Sequence, residues 1–132
     1  MERPTNVPLA TKLGIAEGAI VTLLHAPEDF EWTLPAGARV TRRRSADHAD
    51  IVLAFFMRRT QLEREVEALS QRIFPHGSLW VAWPKRTSGV TTDLTDHVTR
   101  ELALPLGLVD NKVCAIDQTW TALRFVWRRE RR

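Results

Sequence analysis

The 132-residue sequence contains a single cysteine, Cys114, so it holds no pair that could form a disulfide. A reducing compartment is the simplest expectation, and we predict a cytoplasmic location for that reason. Long apolar runs are missing as well, since stretches such as 51–57 are far shorter than the ~20 residues of a membrane-spanning helix. The first residues, 1–11, lack the apolar core of a signal peptide. We therefore expect no membrane association.

Familiar motifs of catalysis and metal binding are also missing. The four histidines, at positions 25, 48, 76 and 97, show no H-x-x-x-H or similar spacing, so we predict no metal site. Lys85 precedes Gly89, which excludes a Walker phosphate loop, where the lysine follows the glycines. No nucleophile elbow surrounds Ser88, so a hydrolytic triad with His25 and Asp93 is not expected.

The charge distribution argues against a nucleic-acid-binding domain, although the pI is 9.7. The last five residues, 128–132, carry four arginines and one glutamate. The remainder, residues 1–127, has 15 basic and 15 acidic side chains and is neutral. A nucleic-acid-binding domain normally presents a basic face. We predict a single domain over residues 1–127 followed by a solvated basic tail over 128–132, and nucleic acid is expected as a partner only through that tail, Arg128–Arg132.

Apolar, β-branched runs separated by turn residues predict six strands, at 19–24, 38–42, 51–56, 79–83, 108–116 and 121–127. Helices are predicted at 7–13, in a short stretch through Trp32, at 61–74, and from 93–96 until Pro105. Thr60 and Glu63 fit a capping box for the third helix. Asp93 and Asp96 are expected to cap the fourth.

Strands that alternate with helices predict an α/β fold with a doubly wound, mainly parallel six-stranded sheet. The last two strands are separated by residues 117–120 alone, and so short a connection permits only an antiparallel hairpin. Within the fourth strand we expect Trp80 and Trp83 to share one face. Core packing is the alternative to ligand stacking for these tryptophans.

Polar residues gather in the loops that follow the predicted strands, where ligands bind in open α/β sheets. The loop at 84–93 is the richest of them. Gly89 within it has no evident local structural duty, so it either admits an anion to the backbone or belongs to a flexible surface loop. The ligand-binding candidates are Lys85 for charge, Ser88, Gly89 and Thr91 for hydrogen bonds, and His25 and Trp120 as walls of the cleft.

Two further sets of residues have weaker chemical signals. His25 and Asp117 are candidate general bases if the cleft is catalytic. Arg42, Arg43 and Arg44 end the second strand, where an arginine can accommodate a ribose 2′-phosphate, but a solvated basic run explains them as well.

The segments LLHAPEDF, IVLAFF, LWVAWPKRTSGVTTDLT and GLVDNKVCAIDQTWTALRFVWR resemble a family of small uncharacterised bacterial proteins catalogued as domain of unknown function 3052. The resemblance covers about residues 13–128, and the family implies no activity. The predicted parallel sheet and terminal antiparallel hairpin are more loosely similar to the methyltransferase-like Rossmann architecture of class I methyltransferases. That likeness implies a glycine-rich S-adenosylmethionine (SAM) loop after the first strand and an acidic residue after the second. This chain has His25-Ala26-Pro27-Glu28 and arginines there, which disfavours SAM and leaves the cofactor unknown.

We interpret the chain as an uncharacterised Rossmann-like domain that binds a small anionic or nucleotide-like ligand in a non-catalytic or regulatory role. One alternative is a degenerate methyltransferase-like transferase that uses the same cleft. A second is an interaction module for protein or nucleic acid that acts through the arginine tail. The oligomeric state does not follow from the sequence.

Overall fold

A mixed β-sheet organises residues 7–42 and 48–132, the part of the chain that the computed structural model describes. The strands are β1 (Ile20–Leu24), β2 (Arg39–Thr41), β3 (Ile51–Phe55), β4 (Ser78–Pro84), β5 (Leu108–Ala115) and β6 (Trp120–Trp127). The helices are α1 (Leu9–Lys12), α2 (Arg59–Arg72) and α3 (Asp96–Ala103), with short 3-10 turns at Arg86–Ser88, Leu104–Leu106 and Arg129–Arg131.

The six strands lie in the order β2-β1-β3-β4-β6-β5. The pairs β1–β2, β1–β3 and β3–β4 are parallel. The pairs β4–β6 and β5–β6 are antiparallel, as the short connection before Trp120 requires. The predicted α/β sheet of six strands is therefore confirmed as a mixed sheet with few helices.

The two faces of the sheet are covered differently. One face packs against α2 and α3 through side chains such as Leu62 and Val66. The other packs against the four-residue α1 and the segment at 26–38, and Trp80 on this face donates its indole N–H to the carbonyl of Leu13 at 3.0 Å. A doubly wound arrangement with full helices on both faces is not confirmed.

The segment after β1 is not the short helix predicted through Trp32. It contains a turn and then runs extended, and Phe30, Trp32 and Leu34 all pack against the sheet. These residues are two positions apart, which is the period of an extended chain. Phe30 contacts Phe55 edge to face, with ring centroids 5.1 Å apart. The apolar residues thus favour an extended segment over a helix.

The strand period also separates two tryptophans that we expected to share a face. Trp80 belongs to the cluster against α1, whereas Trp83 belongs to the cluster against α2 and α3. They are three positions apart, and residues share a face of a strand only at even spacing. The expectation was wrong for that reason.

The helix caps differ from the prediction. The residue that caps α2 is Arg58, without a side-chain cap, so Thr60 and Glu63 form no capping box. Instead, the carboxylate of Asp93 accepts a hydrogen bond from the N–H of Arg59 at 2.7 Å. Thr95 caps α3, since its hydroxyl oxygen accepts from the N–H of Val98 at 3.1 Å. Asp93 was expected to cap α3, but it caps the neighbouring helix.

The C-terminal arginines lie at the end of the sheet opposite the hairpin turn. Their side chains are exposed, yet the N–H of Arg128 donates to the carbonyl of Gly107 at 3.1 Å. The Nε of Arg132 donates to the carbonyl of Trp127 at 2.9 Å. These hydrogen bonds hold the backbone of the tail against the sheet.

In the described residues, no helix combines the length and apolar character that crossing a membrane requires.

Candidate functional site

The loops after β1, β3 and β4 lie at one end of the sheet, because these strands are parallel. The turn between β5 and β6 lies at the same end, since Pro84 pairs with Trp120 and the N–H of Lys85 donates to the carbonyl of Thr119 at 2.7 Å. The polar loops singled out in the sequence are therefore neighbours. They do not, however, surround one common cavity.

The larger cavity, here called the α3 cavity, has a volume of about 740 Å³. It lies between α3, the β5–β6 hairpin and the loop after β4. Its floor is apolar and includes the buried Trp83, Leu94 and Leu123. Its remaining lining is Pro84, Lys85, Arg86, Val90, Thr91, Thr92, Thr95, Asp96, Arg100, Val113 and Thr121. Of the predicted ligand-binding residues, Lys85 and Thr91 line this cavity.

The basic side chains of the α3 cavity fall into two groups. Arg100 is paired, because its Nε lies 2.9 Å from a carboxylate oxygen of Asp110 and its Nη1 lies 3.3 Å from Asp96. The hydrogen bond to Asp110 raises the pKa of Arg100. By contrast, Lys85 and Arg86 form no ion pair with any carboxylate in the described ranges. The rim of the cavity thus carries uncompensated positive charge.

Ser88 and Gly89 shape the loop after β4 and are not part of the cavity lining. The hydroxyl of Ser88 donates to the carbonyl of Lys85 at 2.7 Å and accepts from the N–H of Val90 at 3.2 Å. Gly89 has φ +81° and ends the 3-10 turn of Arg86–Ser88. Gly89 is therefore needed locally, because glycine adopts this left-handed conformation without steric cost. The sequence did not reveal this structural role.

The same loop is fastened to the start of α2. The hydroxyl of Thr92 donates to the carbonyl of Met57 at 2.6 Å and accepts from the N–H of Leu94 at 3.1 Å. Together with the bond from the Arg59 amide to Asp93, this joins the loop after β4 to the loop after β3. The loop after β4, which forms one wall of the α3 cavity, is therefore fixed in place at Thr92 and Asp93.

His25 lies outside the α3 cavity, immediately after β1. Its φ is +59°, and its Nε2 lies 2.9 and 3.1 Å from the two carboxylate oxygens of Glu65 on α2. Its ring contacts Phe56, with centroids 5.6 Å apart. It lines a second cavity of about 430 Å³, here called the His25 cavity, together with Arg58, Thr60, Gln61, Arg64 and Glu65.

Trp120 and Asp117 lie near the hairpin turn but away from both cavities. Trp120 packs edge to face on Phe55, with centroids 5.0 Å apart, on the sheet face opposite α2 and α3. One carboxylate oxygen of Asp117 accepts from the N–H groups of Thr119 and Trp120, each at 2.8 Å. Asp117 thus stabilises the turn, which leaves His25 as the candidate general base with a side chain facing a cavity.

Sequence reasoning missed the part of the α3 cavity that comes from later elements. Arg100, Val113 and Thr121 belong to α3, β5 and β6 respectively. Arg100 stands four residues after Asp96 in a helix that directly follows the polar loop, and this spacing could have indicated it. Val113 and Thr121 needed the strand register, which the sequence does not provide.

Two further hypotheses from the sequence concern the arginines after β2 and the prediction of no metal site. Arg43 and Arg44 lie outside the described residues, while Arg42 lines a third cavity of about 500 Å³ beside Phe30 and Trp32. Within 7–42 and 48–132, no three or more His, Cys, Asp or Glu side chains are grouped as a metal site would require.

The fold is similar to that of SAM-dependent methyltransferases. A crystal structure of a SAM-dependent methyltransferase from Aquifex aeolicus matches with a TM-score of 0.64 and 9% identity, over 89% of this chain and 86% of that one. LepI in its complex with SAM matches with a TM-score of 0.57 and 14% identity. A structure described as a pericyclic reaction enzyme matches with a TM-score of 0.54 and 13% identity. Each of the last two matches covers 97% of this chain and 50% of the other, so the chain spans half their length.

At such low identity these matches show a methyltransferase-like fold and nothing finer. No family model and no curated protein sequence matches the chain. Membership of the family catalogued as domain of unknown function 3052, expected from the sequence segments, is therefore not confirmed.

Proposed function

We propose that this chain is a methyltransferase-like domain that binds a small anionic or nucleotide-like ligand in the α3 cavity, in a non-catalytic role. The observation that carries the proposal is the pair Lys85 and Arg86, which have no carboxylate partner among the described residues and lie at the rim of a cavity with an apolar floor. Uncompensated cations beside an apolar floor suit a ligand with an anionic group and an apolar or planar body.

The lining offers two chemical environments, a basic rim and an apolar floor. Lys85 and Arg86 would hold the anionic group, while Trp83, Leu123 and Val113 would contact the body of the ligand. Thr91 and Thr121 add hydroxyl groups that can donate or accept hydrogen bonds. The volume of about 740 Å³ lies within the usual range for small-molecule sites.

A binding role, as opposed to a catalytic one, is supported by the chemistry of the lining. The described residues around the α3 cavity include no histidine and no cysteine. The carboxylate among them, Asp96, is exposed and bound to Arg100 at 3.3 Å. The lining therefore lacks the pair of nucleophile and base that a covalent transfer mechanism requires.

The residues after β1 and β2 support the inference that SAM is not the ligand. Between Ala19 and Ala36 the sequence has no glycine that would let the backbone approach a cofactor closely. Pro27 lacks an N–H, and the imidazole of His25 is engaged by Glu65 on one side and Phe56 on another. The residue that follows β2 is Arg42, where the methyltransferase likeness implies an acidic side chain.

A thermal-shift screen of the purified chain with nucleotides, SAM and simple anions tests this proposal. A ligand at ~100 times its Kd adds about 2.7 kcal/mol of stability and raises Tm by about 5–10 °C. The double variant Lys85→Ala/Arg86→Ala should lose the shift. Arg129→Ala/Arg131→Ala removes the same charge at the opposite end of the sheet and should keep it.

Three results would contradict, respectively, the location of the site, the exclusion of SAM and the non-catalytic role. A shift that persists in Lys85→Ala/Arg86→Ala would exclude the α3 cavity as the binding site. A shift with SAM would contradict its exclusion as a ligand. Turnover of a bound compound by the purified chain would contradict the non-catalytic role.

A further inference from the structure

The His25 cavity is separate from the α3 cavity, and no residue lines both. Its volume is about 430 Å³, and it lies between the end of β1 and the first two turns of α2. All six of its lining side chains are polar or charged. It is therefore chemically unlike the α3 cavity, whose floor is apolar.

Two arginines of this cavity are free of carboxylate partners within the described ranges. Arg58 and Arg64 form no ion pair there. Their neighbour Arg59 differs, because it lies 3.6 Å from Glu63 and 3.5 Å from Glu101. Arg59, which is not part of the cavity lining, is thus paired with carboxylates, whereas Arg58 and Arg64, which line the cavity, are not.

Glu65 is the carboxylate that lines the His25 cavity, and it is directed at His25. Both of its oxygens lie within 3.1 Å of His25 Nε2, and its side chain is 17% exposed. The lining therefore contains one acidic side chain, two arginines and a histidine. The cavity keeps net positive charge whichever protonation state His25 adopts.

We propose that the His25 cavity is a second binding site, which takes a phosphoryl group, either as free phosphate or as a phosphate monoester. Arg58 and Arg64 would bind its oxygens through their guanidinium forks, whose geometry matches phosphate. The hydroxyl of Thr60 and the amide of Gln61 would complete the contacts. This site does not depend on the ligand proposed for the α3 cavity.

The test is an NMR titration of the full chain with inorganic phosphate, at constant ionic strength so that screening does not change. We expect saturable shifts of the backbone signals of His25 and of residues 58–65 at phosphate concentrations up to about 10 mM. The double variant Arg58→Gln/Arg64→Gln should bind phosphate at least about tenfold more weakly. Arg129→Gln/Arg131→Gln loses the same charge at the other end of the sheet and should bind as the original chain does.

Several results of these titrations would overturn the proposed phosphate site. Absence of saturable shifts overturns the site, and so does unchanged binding in Arg58→Gln/Arg64→Gln. Equal weakening in the Arg129→Gln/Arg131→Gln control shows non-specific charge attraction and also overturns it. The single change Arg64→Glu is a second test at an exposed position, and retention of full affinity there contradicts the proposal. Titration with a phosphate monoester such as phenyl phosphate distinguishes a free-phosphate site from one that takes a larger ligand.

Discussion

The carboxylate of Asp93 accepts a hydrogen bond from the backbone N–H of Arg59 across a distance of 2.7 Å. The loop after β4 therefore caps the helix that follows β3. Thr92 strengthens this connection, because its hydroxyl donates to the carbonyl of Met57 at 2.6 Å. Arg58, which lines the His25 cavity, lies between those two anchor points. The two cavities consequently share one structural junction.

Replacement of Asp93 by alanine should lower the free energy of unfolding by about 1 kcal/mol, since it removes a side-chain cap and leaves an N–H of α2 unsatisfied. Urea denaturation followed by circular dichroism measures the change. Asp93→Asn keeps an acceptor oxygen and should recover most of the loss. Equal destabilisation by alanine and asparagine would show that the negative charge, and not the hydrogen bond, stabilises the helix.

Gly77→Ala should be among the most damaging single substitutions in the chain. A Cβ at this position would lie 2.9 Å from the backbone oxygens of Ala49, Asp50 and Ile73, none of which can rotate away. We expect a loss of about 2–3 kcal/mol, typical of severe overpacking. Gly14→Ala is the matched control, because its φ is +79° but no atom lies within 4 Å of the added Cβ.

Gly14→Ala should lower the free energy of unfolding by about 1 kcal/mol, because only the left-handed backbone conformation disfavours alanine at that position. Thermal denaturation of both variants gives the comparison. If Gly14→Ala is as destabilising as Gly77→Ala, steric contact is not the reason that position 77 is glycine.

Trp120→Ala should lower stability without affecting the ligand of the α3 cavity. The indole packs on Phe55, on the opposite face of the sheet, and it is half-buried. We expect a loss of about 2 kcal/mol, less than for a fully buried tryptophan. Trp120→Phe preserves most of the packing and should cost less. A lost ligand-dependent thermal shift in Trp120→Phe would instead make Trp120 a wall of the site, as its sequence position first indicated.

Cys114 should make the stability of the chain fall at alkaline pH. Burial raises the pKa of its thiol, because apolar surroundings disfavour the thiolate. The unfolded thiol ionises near pH 9, before the folded one does. The unfolded state therefore gains stability as pH rises through that range.

Urea denaturation of the original chain and of Cys114→Ala between about pH 7.5 and 10.5 checks this expectation. The free energy of unfolding should fall more steeply for the original chain, since the variant has no thiol to ionise. Parallel pH profiles would contradict the assignment of alkaline instability to Cys114.

The strands were the most predictable part of the fold. Every residue of β3 and β4 is buried, and both are short apolar runs that could be identified without the structure. The segment after β1 was harder, because the alternation of Phe30, Trp32 and Leu34 is short and lies within a polar stretch, and only the sheet on which they pack shows that the segment is extended. The polar loops were correctly expected at one end of the sheet, since parallel strands share a direction.

The division into two cavities could not be predicted, because it depends on how α2 and α3 pack beside each other on one face of the sheet. Lys85 and His25 follow different strands, and the three-dimensional packing of α2 and α3 assigns each to its own cavity. Trp120 lines neither cavity, because successive residues of a strand face opposite sides and its neighbour Thr121 is the one that faces the α3 cavity.

Local chemistry in the chain was sufficient to specify the buried strands, the hairpin and the polar loops, because apolar burial and short connections act over neighbouring residues. Long-range packing alone decided the partners of the functional side chains. The pairs Asp93–Arg59 and His25–Glu65 join residues 34 and 40 positions apart in the sequence. Such pairs form only when the folded sheet brings distant segments within hydrogen-bonding distance, and no local pattern records that distance.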